Sequence, residues 1–163
     1  MAPTEKSFKV PAYDIAAPTD PILIQLFDYW DSKRGARKMP SRADIDAIEL
    51  RGLVSHMMLL DAEPDQLYRI RLVGQAVADF VGTNNTGMPV TDGMPPSGVK
   101  QTIEILDSLV AKRSPRFRRG RAHWHPDKSY REFEACFLPL STDGQVVDKV
   151  LFGGVVLDAD GIK

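Results

Sequence analysis

Cysteine is almost missing from this chain: Cys136 is the only one in 163 residues. One thiol excludes an intramolecular disulfide and any CxxC metal motif. Its neighbours Phe137 and Leu138 predict a buried thiol, which fits a reducing compartment. Long apolar runs are also missing, and none approaches the roughly 20 residues of a membrane-spanning helix. The opening Met1-Ala2-Pro3-Thr4-Glu5-Lys6 is not followed by an apolar stretch. No secretory signal is therefore expected, and the expected location is cytoplasmic with no membrane partner. Charge of one sign is lacking too, with 21 Lys and Arg against 22 Asp and Glu and a net charge of -1. That balance argues against wholesale binding to nucleic acid or an anionic surface, while leaving room for a local patch. Neither a Walker motif, a Rossmann GxGxxG nor a glycine-flanked nucleophile serine is present. No internal repeat or low-complexity segment interrupts the chain.

What is present is organised around residues 68–87. Tyr68, Ile70 and Leu72 alternate with Arg69, Arg71 and Val73, which predicts a strand. Gly74 stops that strand where the chain must turn. In the segment that follows, Ala76 or Val77 can share a helical face with Phe80. Gly82 ends it, and a polar loop closes on Thr86-Gly87. This order of strand, glycine, short helix, glycine and loop hands a small sheet to a helical flank.

Arg71-Leu72-Val73-Gly74, Phe80-Val81-Gly82 and Thr86-Gly87 resemble the PAS domain, a sensory module. The tail is similar as well, in Phe133 to Pro139, the turn at Asp143-Gly144 and the apolar run from Val146 to Leu157. More narrowly, Tyr29-Trp30, Pro40-Ser41-Arg42-Ala43-Asp44 and Leu59-Leu60-Asp61 resemble stand-alone bacterial PAS-like proteins of largely unassigned function. The resemblance covers roughly residues 22–157. It implies a sensory or scaffolding module of bacterial signal transduction, working by contact with a signalling partner or a small ligand. Haem-binding members ligate iron through a histidine on the long helix, but residues 98–111 contain none. Flavin-binding members carry a reactive cysteine in the loop after the phenylalanine-glycine region, but residues 82–87 contain none. The cofactor is left unknown.

Along the chain, Pro3, Pro11 and Pro18 mark residues 1–18 as a flexible arm. Residues 19–55 read as a helical extension and 56–159 as the PAS-like core. Asp20 caps a first helix with Pro21 at its first position, and Lys33 and Arg34 complement its C-terminal dipole before Gly35. At about 100° per residue its apolar arc is wider than one packing surface needs. Leu23, Phe27 and Trp30 are therefore the expected partner interface, and a homodimer is expected. Ser41 and Asp44 form a capping box for a second helix with Ile45, Ile48, Leu50 and Leu53 turned inward. Capping accounts for Asp44 and Asp46 more simply than catalysis does. Met57 to Ala62 is a strand, joined to the organising strand through a turn at Glu63-Pro64-Asp65-Gln66. A long helix starts near Ser97, with Val99, Ile103, Leu106 and Val110 on one face, and Pro115 prevents its continuation. Three strands finish the chain, over 116–124, 130–140 and 146–157.

The expected fold is therefore α+β: a five-stranded antiparallel sheet with helices on one face and an N-terminal helical extension. The expected wall of a ligand pocket is Ile70, Leu72, Phe80, Ile103, Leu106 and Phe137. No catalytic residue is assigned. The basic run Lys112, Arg113, Arg116, Arg118, Arg119 and Arg121, with Phe117 and Trp124 interleaved, is what a phosphate or single-stranded nucleic-acid surface would need. Pairing with Glu132 and Glu134 on the next strand is the simpler account, so nucleic acid is not the expected partner. His123, His125 and Asp127 could supply part of a zinc site, but structural zinc takes four ligands and the remaining histidine, His56, is distant in sequence. A small α+β enzyme would need an isolated acid on an apolar inner face, and Glu134 is the nearest candidate.

Overall fold

The start signals at Asp20-Pro21 produce what they specify. Asp20 has extended backbone angles and its Oδ1 accepts from Ile22 N at 2.8 Å, opening helix α1 (Pro21–Arg34) with proline in its first turn. Gly35 closes it at φ 58°. The computed structural model describes residues 12–81, 84–93, 96–121 and 132–157. Its remaining elements are β1 (Tyr13–Ile15), β2 (Met57–Glu63), β3 (Leu67–Val73), α2 (Gln75–Val81), α3 (Val90–Gly93), α4 (Pro96–Lys112), β4 (Arg116–Arg121), β5 (Glu132–Leu140) and β6 (Lys149–Leu157).

The strands form one antiparallel sheet in the order β1-β4-β5-β6-β2-β3. Five of these strands are the expected ones; β1 is the sixth. It lies within the stretch read as a flexible arm, where Tyr13, Asp14 and Ile15 pair with Arg119, Arg118 and Phe117.

Residues opposite one another in an antiparallel pair share a face of the sheet. Phe117, Cys136 and Gly153 therefore lie on one face, and α1 covers it. The Phe27 and Phe117 rings meet edge to face at 5.1 Å, and a Cβ on Gly153 would sit 2.6 Å from Leu26 Cδ2. Trp30 Nε1 donates to Pro139 O at 2.9 Å. Phe137, Phe152 and Met58 point to the other face, towards α2, α3 and α4. The helices expected on one face are these last three, while the N-terminal helix takes the opposite one. Its Leu23, Leu26 and Trp30 belong to the same buried cluster as the residues of the sheet.

Two local expectations are corrected. The segment after Ser41 is not an α-helix but a 3-10 turn at Arg42–Asp44, followed by turns and another 3-10 turn at Val54–His56. Asp44 accepts from Ser41 N at 2.9 Å, so capping chemistry is satisfied without a helix to cap. Ile45, Leu50 and Leu53 are buried, but Ile48 is 72% exposed because no continuous helical face aligns it with them. Tyr29 instead fastens this segment to α1, accepting from Asp46 N and donating to Glu49 Oε1.

Strand β3 does not alternate strictly either. Leu59 faces Leu72 but Leu60 faces Ile70, so Arg71 is an extra residue, a β-bulge. Beyond the bulge the parity reverses, and Leu72 turns to the opposite side from Ile70 and Tyr68. Arg71 reaches Asp61, which Lys149 Nζ also meets at 2.6 Å. Burial alone would raise the Asp61 carboxyl, but these two cations hold it below its ordinary value. Cys136 is fully buried, as its neighbours predicted, and burial pushes its thiol up to about 12.

Candidate functional site

Between the sheet and α2–α4 lies a cavity of about 550 Å³. Its origin is the row of small residues across the middle of the sheet. Ala135 on β5 is opposite Gly154 on β6, and both line the cavity. Phe137 and Phe152 flank the gap with rings 5.1 Å apart at 67°. The Phe152 ring lies over Gly154, where a Cβ would come within 2.8 Å of Cζ. Met58 and Leu60 of β2, Val77 and Phe80 of α2, Val90 of α3 and Ile105 of α4 complete a mostly apolar wall. Polar groups enter from Gln101 and Thr102 on α4, Asp79 on α2, His56 before β2, and Arg118 on β4. Thr102 Oγ1 donates to Gly98 O at 2.9 Å, which satisfies the hydroxyl within its own helix.

Of the expected pocket wall, Phe80 and Phe137 line this cavity. Ile70, Ile103, Leu106 and Leu72 do not. Ile70 and Leu106 are wholly buried in the core. Leu72 is 55% exposed, carried to the far side of the sheet by the bulge at Arg71. Ile103 is displaced because the inward face of α4 runs through Gly98, Thr102, Ile105, Leu106 and Leu109 rather than centring on Val99 and Val110. Apolar periodicity weighs hydrophobic side chains alone. It misplaces a helix whose small and polar residues face open space.

The expected partner interface fares differently. Leu23 is 0% and Trp30 2% exposed, and Phe27 packs between Trp30 and Phe117. These side chains belong to the core of their own protomer. Met39 and Leu50 of the 39–53 segment are buried in the same core, and Tyr29 bonds that segment to α1.

The basic run is divided by strand alternation. Arg116 Nη2 donates to Asp14 Oδ2 at 2.6 Å, and its Nη1 to Ser108 Oγ. Arg118 Nη2 donates to Ala12 O at 2.6 Å. Arg119 lies 3.7 Å from Glu132 and 3.8 Å from Glu134, as the simpler account expected. Asp14, on a strand the sequence reading did not expect, is the partner it missed. The stretch holding Trp124, His123, His125 and Asp127 lies outside the described residues. Among the described residues no cluster of three His, Cys, Asp or Glu side chains is placed to hold a metal ion.

Glu134 is wholly buried in the cavity wall, yet its carboxylate is turned to the start of α1. Thr19 N donates to Oε2 at 2.6 Å, Thr19 Oγ1 to Oε1 at 2.5 Å, and Asp20 N to Oε2 at 3.2 Å. The acid thus ties the N-terminus of α1 to β5. Glu134→Gln puts an NH₂ group against these donors and removes the charge facing Arg119. We expect a loss of about 2 kcal/mol in denaturant unfolding, with amide exchange at residues 19–23 accelerated first. An unchanged midpoint would contradict this anchoring role.

A family model for the PAS domain matches residues 19–156. The chain belongs to the PAS domain family, whose members are generally sensory or signalling modules. Its fold is similar to that of the PAS domain of BvgS from Bordetella pertussis, with a TM-score of 0.50 and 20% identity over 70% of this chain and 88% of that one. It is also similar to an RNA-binding light-oxygen-voltage receptor, with a TM-score of 0.52 and 15% identity over 90% of this chain but 38% of that one. At these identities the likeness is one of fold. Among curated protein sequences, none matches the chain. No helix among the described residues is long and apolar enough to cross a membrane.

Proposed function

We propose that this chain is a non-catalytic sensory module that takes a small, largely apolar ligand into the cavity above Ala135 and Gly154. The observation that carries the reading is the cavity itself, about 550 Å³ with an aromatic and aliphatic wall. Small-molecule sites typically occupy about 300–1,000 Å³ with a few polar groups set in an apolar lining. Output runs by contact, to a signalling protein or to a second copy of the chain. Glu134 gives it a route, because the residue that stands in the cavity wall also holds the start of α1. A ligand that shifts β5 shifts the anchorage of that helix, and its differential affinity for the two positions sets the size of the response. The same commitment of Glu134 to backbone donors supports the non-catalytic reading, since a general acid must reach a substrate. The pairing of Arg116, Arg118 and Arg119 likewise weighs against a nucleic-acid surface.

The test is a cavity-filling variant. Ala135→Leu places an apolar side chain on the cavity floor. The wild-type protein is expected to bind a neutral apolar dye such as Nile red. A bound ligand at a hundredfold excess over Kd should add about 2.7 kcal/mol of stability, a rise of roughly 5–10 °C in Tm. Ala135→Leu should weaken that binding at least about tenfold while keeping native circular dichroism. No dye binding by the wild type, or equal binding by the variant, overturns the cavity reading.

A further inference from the structure

Resting on the ligand-binding reading above, we infer that the ligand is an amphiphile with an apolar body and one anionic oxygen group, and that this group seats against Arg118. The inference begins with register. Arg118, Ala135 and Gly154 stand in a row across β4, β5 and β6 on the cavity face. Ala135 is therefore the direct cross-strand neighbour of Arg118, Gly154 is the next residue along the row, and all three line the cavity.

The guanidinium is incompletely matched. Nη2 donates to Ala12 O, but Nε is buried and makes no hydrogen bond, although Asp14 Oδ1 lies 3.3 Å away. Asp14 already accepts from Arg116 Nη2 at 2.6 Å and its side chain is 56% exposed, so one wet carboxylate is shared between two arginines. Glu104 of α4 is exposed and acts on Arg118 only through space. Burial pulls the Arg118 guanidinium below its ordinary value, with Arg116 adding in the same direction and Asp14 and Glu104 opposing. An entering anion would offset that penalty and occupy the idle donor. The other acids of the wall are turned elsewhere: Glu134 accepts from Thr19, and Asp79 Oδ1 accepts from Gln75 Nε2 at 2.7 Å. Arginine is suited to this work because its planar fork binds carboxylate and sulfonate oxygens and stays charged in a partly buried position.

The experiment is isothermal titration of the full chain with four probes sharing a ten-carbon body: decanoate, decanesulfonate, decanol and decylamine. At about pH 7.5 the carboxylate is ionised, and concentrations are kept below micelle formation. Both anions are expected to bind about ten- to a hundredfold more tightly than decanol, with decylamine weakest. Arg118→Gln should abolish the preference for anions while decanol keeps its affinity. Decanol binding as tightly as the anions overturns the head-group inference and leaves the cavity reading standing. An anion preference that survives Arg118→Gln overturns it as well. Failure of all four probes and of Nile red removes both. If Arg118→Gln does not fold, Arg118→Lys and the wild-type ranking decide: the charge-retaining variant must keep an anion preference, and its loss there would count against the inference.

Discussion

Trp30→Asp is expected to unfold the chain, giving no folded monomer. The indole is 2% exposed, stacks on Phe27 at 6.0 Å with 19° between the planes, and donates its only N–H to Pro139 O. The Arg34 guanidinium lies over the same ring, 5.9 Å from its centroid. Truncating a buried tryptophan removes about 3–5 kcal/mol through lost transfer energy and the cavity left behind. The aspartate adds the cost of a carboxylate without partners in an apolar site. Against a total stability of about 5–15 kcal/mol, that sum empties the native state or nearly so. The measurement is far-UV circular dichroism with a urea titration. A cooperative transition at the wild-type midpoint, together with a change only in sedimentation, would instead make Trp30 an interface residue.

Gly74→Ala should be the most damaging small change. A Cβ there would lie 2.2 Å from Val54 O and 2.4 Å from Ser55 O. Both are backbone atoms, so no side chain can swing aside. The 3-10 turn at Val54–His56 would have to move, and with it the bonds that join it to this corner: Gly74 N to Met57 O at 2.8 Å and Ala76 N to Ser55 Oγ at 3.0 Å. Overpacking of this kind costs about 3 kcal/mol, roughly 6–12 °C in Tm for a chain of this size. Gly52→Ala is the control, because nothing lies within 4 Å of its Cβ and its backbone is not left-handed. Equal melting temperatures for the two variants would show that the corner yields at little expense.

Gly74 also shows how far the sequence could be read. Its position between an alternating run and an apolar-periodic one announced a turn, and the turn is there. The reason for glycine is a contact with residues about 20 positions earlier, which no local pattern encodes. The start of α1, the β2–β3 hairpin and the long helix were legible for the same local reasons: a cap with proline behind it, alternation, and periodicity. Strand β1 was not, because three residues with one apolar side chain turned inward carry no periodic signal.

The site was less legible than the fold. A cavity is defined by what is missing, and its floor is Ala135 and Gly154. The wall expected from the sequence consists of large apolar residues, and large apolar residues fill space. Ile70 and Leu106 did so. Parity along β5 could have helped, since Phe133 and Ala135 share the face of Phe137 at steps of two. Arg118 was visible only as one basic residue among several; pairing register alone sets it apart from Arg119.

The sheet's two borders are guarded by different means. Beside β3, residues 87–89 fold back, with Gly87 N donating to Ile70 O and Ile70 N to Met88 O. Beside β4, the three residues of β1 do the work. The family match begins at residue 19 and so excludes them. A chain trimmed to that match would keep every recognised motif and still bare the ladder of β4, while stripping Asp14 from Arg116 and Arg118. Unpaired ladders recruit other strands, so such a fragment is prone to self-association through an edge that the longer chain keeps closed.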